Sequence, residues 1–366
     1  MSTATPTSPF GKVQPIDIVN LASLKERARN VMGPGEFGYI TEAADDGITM
    51  RRNTEDFANI SILPRVLQGI EQPDQTTTFL GAKLSSPLMT APIAGNTLAH
   101  PSGELGLARG AKESDIMMAQ STFASKTIAE TAEVSAGAPY MFQLYMPKDW
   151  DYCKYLLDEA HKANALAIIL TADSTLGGYR ELDVINHYHL RGKIANLDGY
   201  NTGQSGVGAG GLFKESMQAL DLPLIQKLAD YSDLPIIIKG IQDPRDAVAA
   251  IDAGAAGIYV SNHGGRQVDG APGSIACLPA VAKAVNHRVP IIFDGGVQRG
   301  THVLKALALG ADLVAVGRPF SYGLALGGYE GVSAVAEHLK MELNIAMQLT
   351  GCATIADAKK LHYDWL

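Results

Sequence analysis

The chain has 366 residues, 46% of them apolar and 19% charged, with a net charge of −8, which allows a large core and lacks the compositional bias of a disordered protein. A pI near 5.6 and the absence of any dense Lys/Arg block exclude the electrostatic footprint of a nucleic-acid binder. The three scattered cysteines, Cys153, Cys277 and Cys352, form no CxxC pair, which speaks against a disulfide framework and a zinc site, so no metal is expected and a reducing cytoplasm is the simplest location.

Met1 to Pro9 is a polar, Ser/Thr/Pro-rich stretch without the apolar core of a signal peptide, and residues 1–14 are expected to be a disordered tail. No run approaches the roughly 18 apolar residues that a membrane span requires. Asp17 to Asp45 has helical spacing broken at Gly33-Pro34-Gly35, which predicts two helices ahead of the main fold, with Tyr39 just past the break. From residue 87 a rhythm sets in. Apolar runs at Pro87–Ala91, Ile116–Ala119, Tyr140–Leu144, Ala167–Leu170, Pro235–Ile238, Gly257–Val260, Pro290–Phe293 and Asp312–Val316 alternate with amphipathic stretches. Parallel strands buried on both faces read this way, so the pattern predicts an α/β fold, a (β/α)8 TIM barrel, as one domain over residues 15–366. The interval between Leu170 and Pro235 exceeds what one crossover helix needs and contains the glycine-rich Asn201–Gly211. An insertion over about 174–222 is therefore read as a lid.

Polar residues collect at the ends of the apolar runs, where barrels place their active sites. Run one leads into Ala94 and Gly95, run two into Ser121, run three into Gln143 and Tyr145, and run four into Thr171 and Asp173. Run five ends at Lys239, run six at Ser261-Asn262-His263, run seven at Asp294-Gly295-Gly296, and run eight at Gly317-Arg318. The segment from Asp294 to Gly300, with Gly317 and Arg318, offers backbone N–H groups, a following helix N-terminus and guanidinium groups, which together suit a phosphate. His263 is a candidate proton acceptor and Arg266 a candidate carboxylate fork, with Asp173 placed to orient the imidazole. Lys239 on a buried strand needs an anionic partner, either an electron-rich cofactor or a carboxylate.

Phe142-Gln-Leu-Tyr145, Leu170-Thr-Ala-Asp173, Ser261-Asn-His-Gly-Gly-Arg266 and Asp294-Gly-Gly-Val297 together resemble the FMN-dependent L-2-hydroxy-acid oxidases and dehydrogenases. The likeness runs from about Pro15 to the C-terminus. It is strongest toward the bacterial lactate-oxidase branch, through Gly38-Tyr-Ile40, Ile169–Ser174, Gly323–Gly328 and Met347–Gly351. The resemblance implies FMN as cofactor, a small 2-hydroxy acid and O2 as substrates, hydrogen peroxide as a product, and a homotetramer. It implies His263 as the base, Asp173 as its partner, and Arg180 with Arg266 as the carboxylate clamp, assisted by Tyr39 and Tyr145. Ala94, Ser121, Gln143 and Thr171 would meet the isoalloxazine, with Lys239 near the atoms where charge builds on reduction and Ser261 beside it. Asp294 would serve the ribityl chain, and Gly296, Arg299, Gly317 and Arg318 the phosphate.

Four positions depart from the branch. Phe123 and Phe213 replace tyrosines, Gln298 replaces the arginine of a DGGVR pattern, and Gly95 stands where alanine is common, so a roomier and less polar pocket is expected. A dehydrogenase with another electron acceptor, a 2-monooxygenase and a non-catalytic flavin barrel remain as alternatives. The last conflicts with the presence of His263, Asp173, Arg180 and Arg266 together.

Overall fold

The computed structural model describes residues 8–186, 188, 194–200 and 216–366. Within it a closed barrel of parallel strands forms from β1 (Leu88–Thr90), β2 (Met117–Ser121), β3 (Tyr140–Leu144), β4 (Ile168–Thr171), β5 (Ile236–Ile241), β6 (Gly257–Val260), β7 (Ile291–Phe293) and β8 (Leu313–Val316). The ring closes where β8 pairs with β1, Val314 opposite Leu88 and Val316 opposite Thr90. All eight apolar runs read from the sequence are strands of this barrel, with ends shifted by a few residues.

The runs are continuous because both faces are buried. Met89, Met117, Ala119, Met141, Ile169, Ile237, Tyr259, Ile292 and Leu313 fill the barrel interior as one cluster. Their neighbours Leu88, Met118, Phe142, Leu170, Ile238 and Ile258 belong to the larger cluster between strands and helices, as the two-residue period of a strand dictates. Helices start where side chains replace missing backbone acceptors. Thr127 and Glu130 make a reciprocal capping box ahead of Ile128–Ser135, and Asp243 with Pro244 opens Pro244–Asp252.

Three features lie outside the sequence expectations. A hairpin, Thr77–Phe79 with Ala82–Leu84, puts Phe79 and Leu84 into the interior cluster and plugs the barrel at the end away from the site. Its turn is Leu80-Gly81, both at positive φ, a pairing without the usual Asn-Gly signature. The C-terminal strand Tyr363–Trp365 pairs antiparallel with Ile60–Ile62, and a helix over Ile48–Glu55 follows the two foreseen at Leu24–Arg29 and Pro34–Thr41. Gly33 and Pro34 start the Pro34–Thr41 helix, with the proline in its first turn. At the end of the segment read as a tail, Lys12 O accepts from His100 Nε2 at 2.9 Å and Gln14 N donates to Gly327 O. Among the described residues no helix is long and apolar enough to cross a membrane. The glycine-rich Asn201–Gly211 and Phe213 lie outside the described residues.

Candidate active site

A cavity of about 570 Å³ opens at the C-terminal mouth of the barrel, within the size range of small-molecule and cofactor sites. Every strand contributes to it or to its floor. Ala94 follows β1, Phe123 follows β2, Tyr145 follows β3 and Ser174 follows β4. Lys239 ends the regular part of β5, His263 follows β6, Asp294–Gln298 follow β7, and Gly317 and Arg318 follow β8. Tyr39 and Arg180 join from outside the barrel.

The polar floor is a buried chain of hydrogen bonds beneath the cavity. Ser121 Oγ donates to Gln143 Oε1 at 3.0 Å, and Gln143 Nε2 donates to Thr171 Oγ1 at 2.8 Å. These residues sit side by side because β2 and β3 pair Ser121 with Gln143, and β4 and β5 pair Thr171 with Lys239. Immediately after Lys239 the ladder is irregular and Gly240 takes φ 104°, a bulge that re-aims the neighbouring side chains. A Cβ on Gly240 would lie 2.5 Å from Asp173 Cβ, so glycine lets Asp173 press against the strand end. Lys239 is 4% exposed and donates to Ser261 Oγ at 3.2 Å. Ser261 Oγ also accepts from His263 N at 3.0 Å.

His263, Gly264 and Gly265 occupy three successive positions of positive φ, 58°, 68° and 73°, in the left-handed region that residues with a Cβ adopt only at a cost. At Gly265 a Cβ would stand 2.5 Å from Met50 N, so this sharp loop packs directly on the Ile48–Glu55 helix. The loop turns His263 back over the barrel, where its Nδ1 lies 3.0 Å from Asp173 Oδ1 and its Nε2 3.2 Å from Tyr145 Oη. Burial would raise the Asp173 carboxyl, but His263 and Lys239 beside it hold it below its usual value. An ionised carboxylate only accepts, so His263 donates from Nδ1. Burial first, then the charge of Lys239, pulls the His263 pKa down against the opposing pull of Asp173. The imidazole is thus neutral near neutral pH, with a lone pair on Nε2 that Tyr145 meets as donor. Burial pushes the Tyr145 hydroxyl well above its ordinary value, which keeps that proton in place.

The cations gather in the same cavity. The guanidinium carbons of Arg180 and Arg266 each lie 5.3 Å from the centroid of the Tyr39 ring, within cation–π range. Arg266 Nη1 donates to Glu42 O at 2.7 Å, and burial together with Arg180 and Arg318 draws its pKa down to about 10. Arg318 donates to Ile40 O, Glu42 O and Gly264 O, stitching the Pro34–Thr41 helix end to the His263 loop. On the β7 side Gly296 has φ 72°, and a Cβ there would meet Asn53 O at 1.9 Å. Asp294 is 8% exposed, and its Oδ1 has no hydrogen-bond donor among the described residues.

Two expectations are corrected. Arg299 does not line the cavity: its Nη1 pairs with Glu342 Oε1 at 2.8 Å, and Glu342 Oε2 also accepts Gly300 N at 2.8 Å. The N-terminus of the Gly300–Ala308 helix is therefore already occupied by a carboxylate, and Gln298 faces the cavity instead. Gly95 does not line the cavity either. It has φ 60° and ψ 53° at the start of a 3-10 turn, with its N–H on Phe123 O, a left-handed conformation that glycine adopts at no steric cost. Phe123 does line the cavity and stacks on Tyr145, ring centroids 4.6 Å apart.

Several neighbours carried no signal in the sequence. Asn53 and Asn262 exchange side-chain hydrogen bonds of 2.8 and 2.7 Å across 209 residues, and Asn53 Oδ1 also accepts Ser274 N. This buried pair fixes the helix that forms one cavity wall. Glu42, which accepts from Arg266 and Arg318 and from the backbone beside Arg180, is likewise remote in sequence from what it holds, whereas Asp183 lies three residues from the Arg180 it pairs with.

The chain matches the family model described as FMN-dependent dehydrogenase over residues 28–364. It is 78% identical over 361 residues to a protein of Lacticaseibacillus rhamnosus (strain LMS2-1) named L-lactate oxidase, covering 99% of this chain and 98% of that one. A crystal structure of a Pediococcus acidilactici protein assigned as a lactate oxidase superposes with a TM-score of 0.93 at 49% identity, covering 97% of each chain. A crystal structure of a mandelate oxidase with (S)-2-phenylpropionate superposes with a TM-score of 0.88 at 32% identity, covering 95% of this chain and 99% of that one.

Proposed function

Because the chain belongs to the FMN-dependent dehydrogenase family, we propose that it is an FMN-dependent oxidase of small L-2-hydroxy acids of the lactate type, yielding the 2-oxo acid and hydrogen peroxide. The observation that carries this reading is the neutral His263, held by Asp173, lining one cavity with two guanidinium groups. A base opposite a carboxylate clamp is what removal of a hydroxyl proton from a 2-hydroxy acid needs. The 78% and 49% identities to proteins described as lactate oxidases support the substrate class.

The residues present fit FMN. Asp294 offers a buried carboxylate oxygen without a donor, suited to a polyol hydroxyl. Lys239 is a buried cation that donates to a neutral hydroxyl, that of Ser261, suited to the electron-rich edge of a flavin. Ala94, Ser121, Gln143, Thr171 and Ser261 would hold the ring region, and Gly296, Gly317 and Arg318 the phosphate. When bound, FMN supplies the two-electron acceptor and passes the electrons on to O2.

The chain's own residues prepare the acid. Arg180 and Arg266 bind its carboxylate and Tyr39 shapes the space between them, fixing the direction of the single C2 hydrogen and presenting the hydroxyl to the base. His263 Nε2 accepts the hydroxyl proton, and Asp173 holds the imidazole in the required tautomer and stabilises the cation that forms. Tyr145, already a donor to Nε2, redirects its proton to the substrate oxygen once Nε2 is occupied. These roles are carried by the contacts described above. Replacing His263 with alanine tests them: flavin should stay bound while its reduction by L-lactate slows by ~10²–10⁴-fold.

We further propose one FMN-binding domain over residues 15–366 with an insertion over about 174–222. A cytoplasmic location is supported by three free, buried cysteines, and a homotetramer rests on the resemblance alone. Gel filtration with light scattering tests the assembly.

A further inference from the structure

Arg180 enters the cavity from an unusual place. It is the residue before the Glu181–Ile185 helix, a capping position that it does not satisfy with its side chain and that Ser, Thr, Asp or Asn would serve better. Its guanidinium bends back so that Nε donates to Asp183 Oδ2 at 2.8 Å, with the two side chains only 14% and 15% exposed. Neither terminal amino group of Arg180 has a hydrogen bond to a described residue. The two-pronged edge that matches a carboxylate is left available, while the third nitrogen is fixed. Asp183 Oδ1 is buried and has no donor among the described residues, so Arg180 is the side chain its carboxylate grips directly.

Asp183 is itself anchored. Its backbone N–H donates to Glu42 Oε2 at 3.3 Å, and the Leu182 N–H donates to Glu42 Oε1. The Glu42 carbonyl in turn accepts from Arg266 and Arg318. One residue after the Tyr39 helix thus ties both arginines that flank the Tyr39 ring to a common frame. Two guanidinium groups near one ring repel each other, and a long side chain held only at its backbone would swing away.

We propose that Asp183 is a positioning residue for substrate: by pinning Arg180 through Nε it presents the free Nη edge to the carboxylate of the 2-hydroxy acid. This rests on the reading of Arg180 as a carboxylate ligand. Asp183 touches neither the base nor the FMN-binding residues, and the direct contact of its carboxylate is with Arg180.

The test uses oxalate, a two-carbon dicarboxylate, bound to the FMN-loaded enzyme and followed by perturbation of the flavin spectrum, in Asp183→Ala, Asp183→Asn, Arg180→Met and the Arg180→Met/Asp183→Ala double variant. Asp183→Ala should raise the oxalate Kd by roughly 10- to 100-fold, the scale of loss when a binding group is misplaced by about an ångström. Asp183→Asn, which keeps an acceptor for Nε–H without the charge, should fall between. In the Arg180→Met background, removing Asp183 should change nothing further, since the group it acts through is gone. A purely structural role would lower affinity equally in both backgrounds, and that result overturns the proposal. Loss of oxalate binding in Arg180→Met with none in Asp183→Ala also overturns it while sparing the clamp. Undiminished binding in Arg180→Met would overturn the clamp, and the inference with it.

Discussion

Tyr145 Oη and Asp173 Oδ1 meet opposite nitrogens of the His263 ring, at 3.2 and 3.0 Å, so one imidazole is oriented from both sides. Its catalytic form is the neutral one, and burial with Lys239 places its pKa below the ordinary histidine value. The expected kcat/KM therefore rises as pH increases through that depressed pKa and is flat above it. Asp173 opposes the depression, so Asp173→Asn should move this acid limb to still lower pH. The same change should cut the maximum by ~10²–10⁴-fold, because Nδ1 loses its carboxylate partner. A pH series of kcat/KM in both proteins checks the direction, and a limb displaced upward would assign the titration to another group.

Arg266 gives a second pH-dependent expectation. Its pKa of about 10 reflects burial first, then Arg180 and Arg318. A lysine at this position starts from a lower value and lacks the planar fork. Arg266→Lys should raise the KM for L-lactate by about 10- to 100-fold, equivalent to one lost charge-assisted hydrogen bond. The deficit should widen at alkaline pH as the buried ammonium loses its proton. Steady-state kinetics between pH 7 and 10 would show it, and a KM that is constant across that range would contradict it.

The pocket's selectivity should depend on Phe123 rather than on Gly95. Phe123 lines the cavity against Tyr145, whereas Gly95 sits at φ 60° off the lining. Phe123→Ala should shift kcat/KM toward 2-hydroxyisocaproate and mandelate relative to lactate by about 10- to 100-fold, the range of one or two methylenes in an apolar site. Gly95→Ala should instead destabilise the turn by about 1 kcal/mol and leave the substrate ratio unchanged. A ratio that moves with Gly95 and not with Phe123 would reverse this assignment.

Much of the architecture is written locally in the chain. The eight apolar strands announce themselves because each is buried on both faces, and the polar residues at their ends mark the site. The helix over Ile48–Glu55, the Ile60–Ile62 strand and the Asn53–Asn262 pair do not, since each is defined by partners some 200 to 300 residues away and has no motif of its own. The orientation of Arg299 is illegible for the same reason: the partner that takes its guanidinium in place of a phosphate is Glu342, on the Tyr329–Thr350 helix. Gly95 misleads because a missing methyl and a left-handed turn that favours glycine look identical in a sequence.

His302 links the fold to the phosphate side of the site. It stacks on Phe57 with centroids 4.0 Å apart and approaches Gln298 N, and burial lowers its pKa to about 4. An unfolded histidine takes its proton near 6.5 while the folded one stays neutral, so stability is held above pH 6.5 and lost progressively as pH falls toward 4. The depression corresponds to a loss on the order of 3 kcal/mol. His302→Asn should lower the thermal midpoint at pH 8 by losing the stack, yet flatten its fall between pH 7 and 4.5. Parallel curves for the two proteins would show that His302 does not carry the acid sensitivity.

The central claim, a flavin oxidase of L-2-hydroxy acids, is tested most directly by a single anaerobic titration. L-Lactate added to the FMN-loaded protein without oxygen should bleach the visible flavin absorbance, D-lactate should leave it intact, and admitted air should restore the colour with stoichiometric pyruvate and hydrogen peroxide. Failure of every L-2-hydroxy acid to bleach the flavin would contradict the account, and so would a reduced flavin that air does not reoxidise or a product mixture of acetate and carbon dioxide in place of pyruvate and peroxide.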